Sequence, residues 1–147
     1  IDHHNDYPSL ASLPAYKGIA LNINRTEDLG SLIDLIKAAN AHQFYLYGDT
    51  LSLVHFQSLS LLDNVAIQSN APFIDALAGV CESLVMRDTQ HVSNELDIKP
   101  LVDKCLCATC LNHTRSYLHH LYQHTPILAV QLLATHNFHC WRTSLSP

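Results

Sequence analysis

Three cysteines within six residues constrain the fold of this chain more than any other feature. Cys105, Cys107 and Cys110 offer three sulfur ligands from one short segment. His136 follows 26 residues after the last cysteine and can supply an imidazole nitrogen. A structural zinc is typically closed by four such ligands in a tetrahedron. The sequence therefore predicts a structural Zn2+ site. The alternative is a group of buried or redox-active thiols, with His136 at a helix end.

The stretch between the cysteines and His136 predicts a hairpin of two helices. Leucines recur at helix spacing in residues 111–121, and Thr125 followed by Pro126 is a typical helix start. At about 1.5 Å per residue, the first helix climbs roughly 20 Å and the second, over residues 127–135, descends roughly 15 Å. The hairpin thus returns His136 to the cysteines and leaves no open position on the metal for a substrate.

The first two thirds of the chain alternates between strand and helix patterns. Short apolar runs bounded by glycine and polar residues suit buried parallel strands, and Thr26 is a plausible cap for the first helix between them. This alternation implies a parallel sheet covered by helices. Residues 68–100 are expected to form a long connection with one helix near residues 74–85. The expected strands are residues 17–23, 43–47 and 61–67, and the expected helices are residues 26–39 and 51–59.

The composition describes an ordinary soluble chain. Its 147 residues are 48% hydrophobic, and this composition suits one domain with a core. The chain is too short for a complete (β/α)8 barrel, which takes about 250 residues. Eight lysines and arginines against thirteen aspartates and glutamates give no overall basic field, so we expect any nucleic-acid contact to be local or to belong to a partner. The cysteine usage suits a reduced compartment, and we find neither a membrane-spanning run nor a signal-peptide pattern. We therefore expect a cytoplasmic protein, with Cys81 and Cys140 as buried thiols.

The cysteine segment and the helices after it carry three strings that match one protein family. They are C-L-C-A-T-C at residues 105–110, H-T-R-S-Y-L-H-H-L at 113–121 and L-L-A-T-H-N-F at 132–138. In order and separation they resemble the C-x-C-x-x-C motif, the R-A-Y-L-H-H-L helix and the L-L-x-x-H-N ending of the tRNA-guanine transglycosylases. The resemblance covers about residues 97–140. It implies a (β/α)8 barrel with an appended zinc subdomain, and the exchange of guanine in a nucleic acid for a 7-deazaguanine base.

Upstream, the resemblance suggests base-binding and catalytic residues. Gly18, Ile19 and Ala20 resemble the family's G-G-L-A base-binding loop, with Lys17 in place of the first glycine. Leu61-Leu62-Asp63 resembles the strand that ends in the nucleophilic aspartate. On that resemblance Asp63 attacks the ribose anomeric carbon, expels guanine and holds a covalent intermediate until the new base displaces it. The alternative is an aspartate that ends a strand or caps a helix.

Two further residues are weaker candidates, and the chain departs from the family in two ways. Asp49 is a second carboxylate at an expected strand end, and Arg115 is the basic residue nearest the cysteines, where a helix-surface ion pair is the alternative. The family's P-T-R-x-A-R run has no counterpart after Asp63, since residues 67–72 contain no arginine to hold a phosphate. The first half of the barrel also has no counterpart here.

Together these patterns predict an α/β chain in which residues 1–95 form a partial or divergent (β/α) barrel portion. Residues 96–147 form an appended helical zinc-binding subdomain. The expected function is transglycosylase-like exchange of guanine in tRNA, with Zn2+ as cofactor. Expected partners are tRNA, a 7-deazaguanine base, and a second subunit in a homo- or heterodimer, or one that completes the barrel. The alternatives are a catalytically silent zinc-bearing accessory subunit, and a paralogue acting on DNA or on free base and nucleoside.

Overall fold

The structure, a computed structural model, describes residues 18–23, 29–39, 41–49, 51–81, 84–86 and 97–145. The chain divides into two compact units, residues 1–69 and residues 70–147, here called the sheet unit and the helical unit. Within these described ranges, no helix is both long and apolar enough to cross a membrane. The predicted boundary between residues 95 and 96 adjoins residues that lie outside the described ranges, and it stays a prediction.

The described residues of the sheet unit form a three-stranded parallel sheet with two connecting helices. The strands lie side by side in the order β1-β2-β3, and both pairings are parallel. The predicted alternation of strand and helix is therefore confirmed, while the predicted cap Thr26 lies outside the described residues. The elements are β1 (Gly18–Asn22), α1 (Leu29–Ala38), β2 (Gln43–Gly48), α2 (Leu53–Leu59) and β3 (Val65–Ser69).

The two faces of this sheet differ in burial because side chains alternate along each strand. In β2, Phe44 and Leu46 are buried in the core that α1 and α2 complete with Ile36 and Leu59. On the other face Tyr45 and Tyr47 are exposed, and their rings stack with centroids 5.8 Å apart. Among the described residues of this unit, only the face that carries Phe44 and Leu46 is packed.

The third strand begins four residues later than predicted. The turn that follows α2 is closed by a hydrogen bond from the Leu62 amide to the Leu59 carbonyl oxygen (3.1 Å). Asn64 then sets the register, because its side-chain amide donates to the His42 carbonyl oxygen (3.0 Å) and its own carbonyl accepts from the Phe44 amide (2.8 Å). Residues 61–64 therefore belong to the connection before β3, and the predicted strand over residues 61–67 is wrong in its first half.

The described part of the helical unit contains a short antiparallel strand pair and four helices. The helix predicted over residues 74–85 instead ends at Leu77, since Gly79 adopts φ 73° and turns the chain into the strand pair. The last helix continues ten residues beyond its predicted end. The elements are α3 (Ala71–Leu77), β4 (Val80–Cys81), β5 (Leu84–Val85), α4 (Ala108–Asn112), α5 (Arg115–His124) and α6 (Pro126–Leu145).

The core of the helical unit forms around α6. Ala76 of α3, Leu118 of α5 and Leu133 of α6 are fully buried in one apolar cluster. The buried amide of Asn137 adds a polar link, since it donates to the carbonyl oxygens of Pro72 and Val80, each at 3.0 Å. These contacts fix the position of α6 against α3 and β4.

Candidate metal centre

The cysteine segment folds as a turn followed by one short helix. Lys104 adopts a left-handed backbone conformation (φ 65°) directly before Cys105. Cys107 is the N-cap of α4, and its Sγ accepts a hydrogen bond from the Cys110 amide at 3.3 Å. A sulfur atom thus takes the capping role that a serine or aspartate oxygen usually has. This local geometry draws Cys110 back toward Cys107.

The fourth residue of the predicted set, His136, comes from the middle of α6. Its side chain is fully buried, with 0% exposure. The buried Thr109 hydroxyl donates to the Leu132 carbonyl oxygen (2.7 Å) and so ties α4 to the turn of α6 before His136. The imidazole Nδ1 lies 3.7, 3.3 and 3.2 Å from the Sγ atoms of the three cysteines in chain order.

The donor set fits zinc. A tetrahedral Zn2+ with Zn–S of about 2.3 Å and Zn–N of about 2.0 Å requires nitrogen and sulfur ligands to lie about 3.5 Å apart. The observed nitrogen-to-sulfur distances of 3.2–3.7 Å bracket that value. All four ligand atoms lie within 4.8 Å of one another, and three of the four side chains are buried. The predicted set is thus confirmed as a Cys3His cluster compatible with zinc, formed by Cys105, Cys107, Cys110 and His136.

Bound Zn2+ would act here as a crosslink. Cys105, Cys107, Cys110 and His136 would hold the ion with four protein ligands, and it would join the cysteine turn to α6. All five cysteines lie within the described ranges, and none forms a disulfide. The chain's own contribution is to hold the four ligand atoms together from two separate helices.

Burial controls the protonation of the cluster. Removal from water raises the pKa of the Cys110 thiol to about 12, and the neighbouring Cys107 and Cys105 add to the rise, while a hydrogen bond with the Val102 backbone opposes it. At neutral pH the metal-free thiol of Cys110 is therefore protonated. Since zinc binds the thiolate, this proton must leave when the metal binds.

Arg115 supports the segment that leads into the cysteines. Its guanidinium donates to the carbonyl oxygens of Pro100 (2.7 Å) and Leu101 (2.9 Å from the Nη2 atom), and its backbone amide donates to the Lys99 carbonyl oxygen (2.8 Å). The Asp97 carboxylate lies 4.0 Å away. The main partners of Arg115 are thus backbone carbonyls, which sequence patterns do not reveal.

The predicted base-binding residues lie in β1. Gly18, Ile19 and Ala20 form its amino-terminal half and pair with residues 43–45 of β2. They therefore belong to the strand itself. Their role in base binding stays a prediction.

Asp63 lies at a different place from the one predicted. It is exposed in the turn that precedes β3, whereas Ser69 ends that strand. Open and barrel-forming parallel sheets bind ligands at the carboxyl ends of their strands. The prediction that Asp63 ends a strand is thus wrong, because the register set by Asn64 starts β3 after it. Asp49 directly follows β2, as predicted, and the catalytic roles of both aspartates stay predictions.

One contact at the cluster was missed from the sequence. Cys140, expected only as a buried thiol, is half-buried, and its Sγ lies 3.3 Å from the Nε2 atom of His136. The available signal was its spacing of four residues from His136, which places two side chains on the same helix face.

The parallel sheet with its helices and the Cys3His cluster show that this chain is an α/β protein with a site compatible with zinc. The family model described as queuine tRNA-ribosyltransferase matches residues 60–146, more than half of the chain. The chain belongs to the queuine tRNA-ribosyltransferase family, which confirms the resemblance noted in the sequence.

Similar curated proteins carry two kinds of name. The chain is 56% identical over 41 residues to the queuine tRNA-ribosyltransferase of Prochlorococcus marinus, covering 28% of this chain and 11% of that protein. It is 49% identical over 43 residues (29% and 10%) to the queuine tRNA-ribosyltransferase accessory subunit 2 of Drosophila virilis. For the accessory subunit 2 of Trichoplax adhaerens, the identity is 48% over 56 residues (33% and 15%). The matches thus span only 10–15% of the length of these relatives.

Proposed function

We propose that this chain is part of a zinc-bearing accessory subunit that supports a catalytic partner in exchanging guanine for a 7-deazaguanine base in tRNA. The single observation that carries the proposal is the position of Asp63 before β3, with Ser69 at the carboxyl end of that strand. The names of the Drosophila and Trichoplax relatives point in the same direction.

The chemistry explains why these positions matter. Base exchange with a covalent intermediate needs a carboxylate that attacks the anomeric carbon, and in (β/α) folds such groups sit at the carboxyl ends of strands. A strand as long as β3 spans roughly 16 Å, so Asp63 lies well away from that edge. The Ser69 hydroxyl donates a hydrogen bond to the Leu51 carbonyl oxygen (3.3 Å).

The remaining partners and the barrel belong to the same proposal. The exposed face of the sheet, with Tyr45 and Tyr47, supports a barrel portion, because parallel sheets are normally covered on both faces. The strands that cover it lie in the rest of the protein or in a second subunit. The net charge of −5 favours a partner as the main source of cationic contacts to tRNA. In this proposal residues 1–95 are the barrel portion and residues 96–147 the zinc-binding subdomain.

A second candidate is an active transglycosylase, and one observation favours it. Among the described residues that end or directly follow β1, β2 and β3, Asp49 is the one carboxylate, and it is exposed. It therefore lies at the edge where a nucleophile or a general base would be expected. In this second candidate function, the protein that contains this chain itself catalyses the base exchange in tRNA, or in DNA if it is a paralogue.

A base-exchange assay separates the two candidates. Incorporation of labelled guanine is measured with tRNA and with duplex DNA, using the full-length protein alone and together with a catalytic queuine tRNA-ribosyltransferase subunit. We expect no exchange by the protein alone. With the catalytic partner, we expect exchange into tRNA at a rate that neither Asp63→Asn nor Asp49→Asn changes. The matched control is Asp34→Asn, which removes an exposed carboxylate from α1. Exchange by the protein alone, lost in either aspartate variant but not in Asp34→Asn, would contradict the accessory role.

A further inference from the structure

One buried hydroxyl joins the cysteine segment to the helix that carries the fourth ligand. Of the three residues within 105–110 that are not ligands, only Thr109 is buried, with 0% exposure. It lies between the ligands Cys107 and Cys110. Its Oγ1 donates a hydrogen bond of 2.7 Å to the Leu132 carbonyl oxygen in α6. The side chain of Thr109 thus connects the two parts of the metal centre without being a ligand itself.

The acceptor of this hydrogen bond also anchors the backbone of the histidine ligand. In an α-helix each backbone amide donates to the carbonyl oxygen four residues earlier, which for His136 is that of Leu132. A carbonyl oxygen has two lone pairs and can accept both hydrogen bonds. The cysteine segment and the backbone of His136 therefore meet at one oxygen atom.

The distance between these two parts determines how well the site fits zinc. His136 follows Cys110 by 26 residues and lies on a different helix. The nitrogen-to-sulfur distances of 3.2–3.7 Å therefore depend on how α4 lies against α6. A metal binds more weakly when only a fraction of the metal-free molecules holds the ligands at the required distances. A hydrogen bond between the two elements increases that fraction.

We propose that Thr109 is a positioning residue for the metal centre, and that its hydrogen bond to Leu132 holds the cysteine segment against α6 at the distance that zinc requires. Burial strengthens this role, because bulk water does not compete with the Leu132 carbonyl oxygen for a fully buried hydroxyl. Thr109 has this role whether the protein is an accessory subunit or an active transglycosylase.

Three substitutions of threonine test this role. Thr109→Val removes the hydroxyl and keeps the branching at Cβ, and the Leu132 carbonyl keeps its helical hydrogen bond, so no buried polar group is left unpaired. Thr109→Ser keeps the hydroxyl. The control is Thr135→Val, since the exposed Thr135 hydroxyl donates within α6, to the Gln131 carbonyl oxygen (2.8 Å). Competition with a chelator measures the zinc affinity of the full-length protein, and the absorption spectrum of the Co2+-loaded protein reports the ligand geometry.

We expect Thr109→Val to weaken zinc binding about 3–10-fold, the usual net contribution of one such hydrogen bond, and to shift the Co2+ d–d bands. The charge-transfer bands from thiolate to Co2+ should stay, because all four ligands are kept. Thr109→Ser should bring the affinity to within about twofold of the wild type and restore the spectrum, whereas Thr135→Val should change neither. An affinity of Thr109→Val within about twofold of the wild type, or an unshifted spectrum, would overturn the proposal. Zinc binding by Thr109→Ser as weak as that by Thr109→Val would also overturn it, because the methyl group rather than the hydroxyl would then matter.

A measurement on the unmodified protein covers the case in which Thr109→Val does not fold. In the zinc-loaded protein, the Thr109 hydroxyl proton should exchange with water slowly enough to be observed by NMR, because it is buried and bonded. The hydroxyl proton of the exposed Thr135 should exchange too fast to be observed. A Thr109 hydroxyl proton that exchanges as fast as that of Thr135 would overturn the proposal.

Discussion

At the scale of single residues, Gly79 occupies a position that other residues cannot adopt without strain. Its φ of 73° lies in the left-handed region, and a Cβ atom added there would lie 2.7 Å from the Tyr122 ring. That ring is held in place, since its hydroxyl donates to the Leu77 carbonyl oxygen (3.1 Å). The turn between α3 and β4 therefore depends on this glycine.

Gly79→Ala should destabilise the protein by about 2–4 kcal/mol, because the left-handed backbone costs roughly 1–2 kcal/mol and the clash with Tyr122 adds to it. Urea unfolding of the zinc-loaded protein measures the change. Gly30→Ala is the matched control, since an added Cβ in α1 meets no atom within 4 Å. It should be neutral or stabilising by up to about 1 kcal/mol. Equal effects of the two substitutions would contradict the explanation.

Zinc content tests the ligands one residue at a time. Purified full-length protein should contain about one equivalent of zinc, as a closed four-ligand site requires. Cys107→Ala should lose most of it, because this substitution removes both a ligand and the N-cap of α4. Cys81→Ala should keep the full amount. Elemental analysis showing less than about half an equivalent in the wild type, or no change in Cys107→Ala, would rule out the four-ligand site.

The affinity for zinc should rise with pH. Burial raises the pKa of Cys110 to about 12, so its proton is still bound in the metal-free protein throughout the range from pH 6.5 to 8.5. If zinc displaces one proton from Cys110, the apparent affinity for zinc rises about tenfold per pH unit. Protons displaced from the other two cysteines would make the affinity rise more steeply with pH. Chelator competition across this pH range measures it. A slope below one proton per zinc would contradict the assignment of Cys110 as a buried ligand.

At the scale of elements, α6 connects most of the helical unit. Over its 20 residues it carries the His136 imidazole of the Cys3His centre, the Cys140 sulfur and the Asn137 amide. The neighbouring elements attach to it through hydrogen bonds as well as apolar contacts, including the bond from Thr109 to Leu132. A shift of this helix along its axis would disturb the metal centre and the α3–β4 turn together.

Asn137→Ala should lower the free energy of unfolding by about 1–3 kcal/mol, since it removes two hydrogen bonds of a buried amide, worth about 0.5–1.5 kcal/mol each. Asn112→Ala is the control, because that amide is exposed and bonds only within α4, to the Ala108 carbonyl oxygen (2.8 Å). Its effect should stay below about 0.5 kcal/mol. If the two asparagine variants unfold at the same urea concentration, α6 is not held by Asn137.

At the scale of the whole molecule, the two units have separate cores and different sources of stability. The core of the sheet unit is built from β2, α1 and α2, whereas the helical unit has its own apolar cluster and the Cys3His centre. Metal-binding energy is folding energy when the site forms only in the folded state. Zinc should therefore stabilise the helical unit selectively.

Chelation should increase hydrogen exchange first in residues 97–140, which contain the ligands, and leave residues 43–69 nearly unchanged. Mass spectrometry of the full-length protein, with and without chelator, measures this difference. Cys107→Ala should show the same pattern without chelator. Simultaneous loss of protection in both units would mean that the metal stabilises the whole chain rather than one unit.

Residue spacing alone determined the ligand set and the strand–helix order of this protein. The three cysteines lie within one turn, and a helical hairpin of known rise returns His136 to them, so these features depend on chemistry and local periodicity. Only the tertiary structure decided at which edge of the sheet Asp63 lies, because the Asn64 bonds to His42 and Phe44 join residues twenty or more positions apart. Likewise, only the tertiary structure showed that α6 continues past His136, where Asn137 bonds to the Pro72 and Val80 carbonyl oxygens and Cys140 reaches the imidazole. Residue spacing and local periodicity do not predict hydrogen bonds between residues that are far apart in the chain.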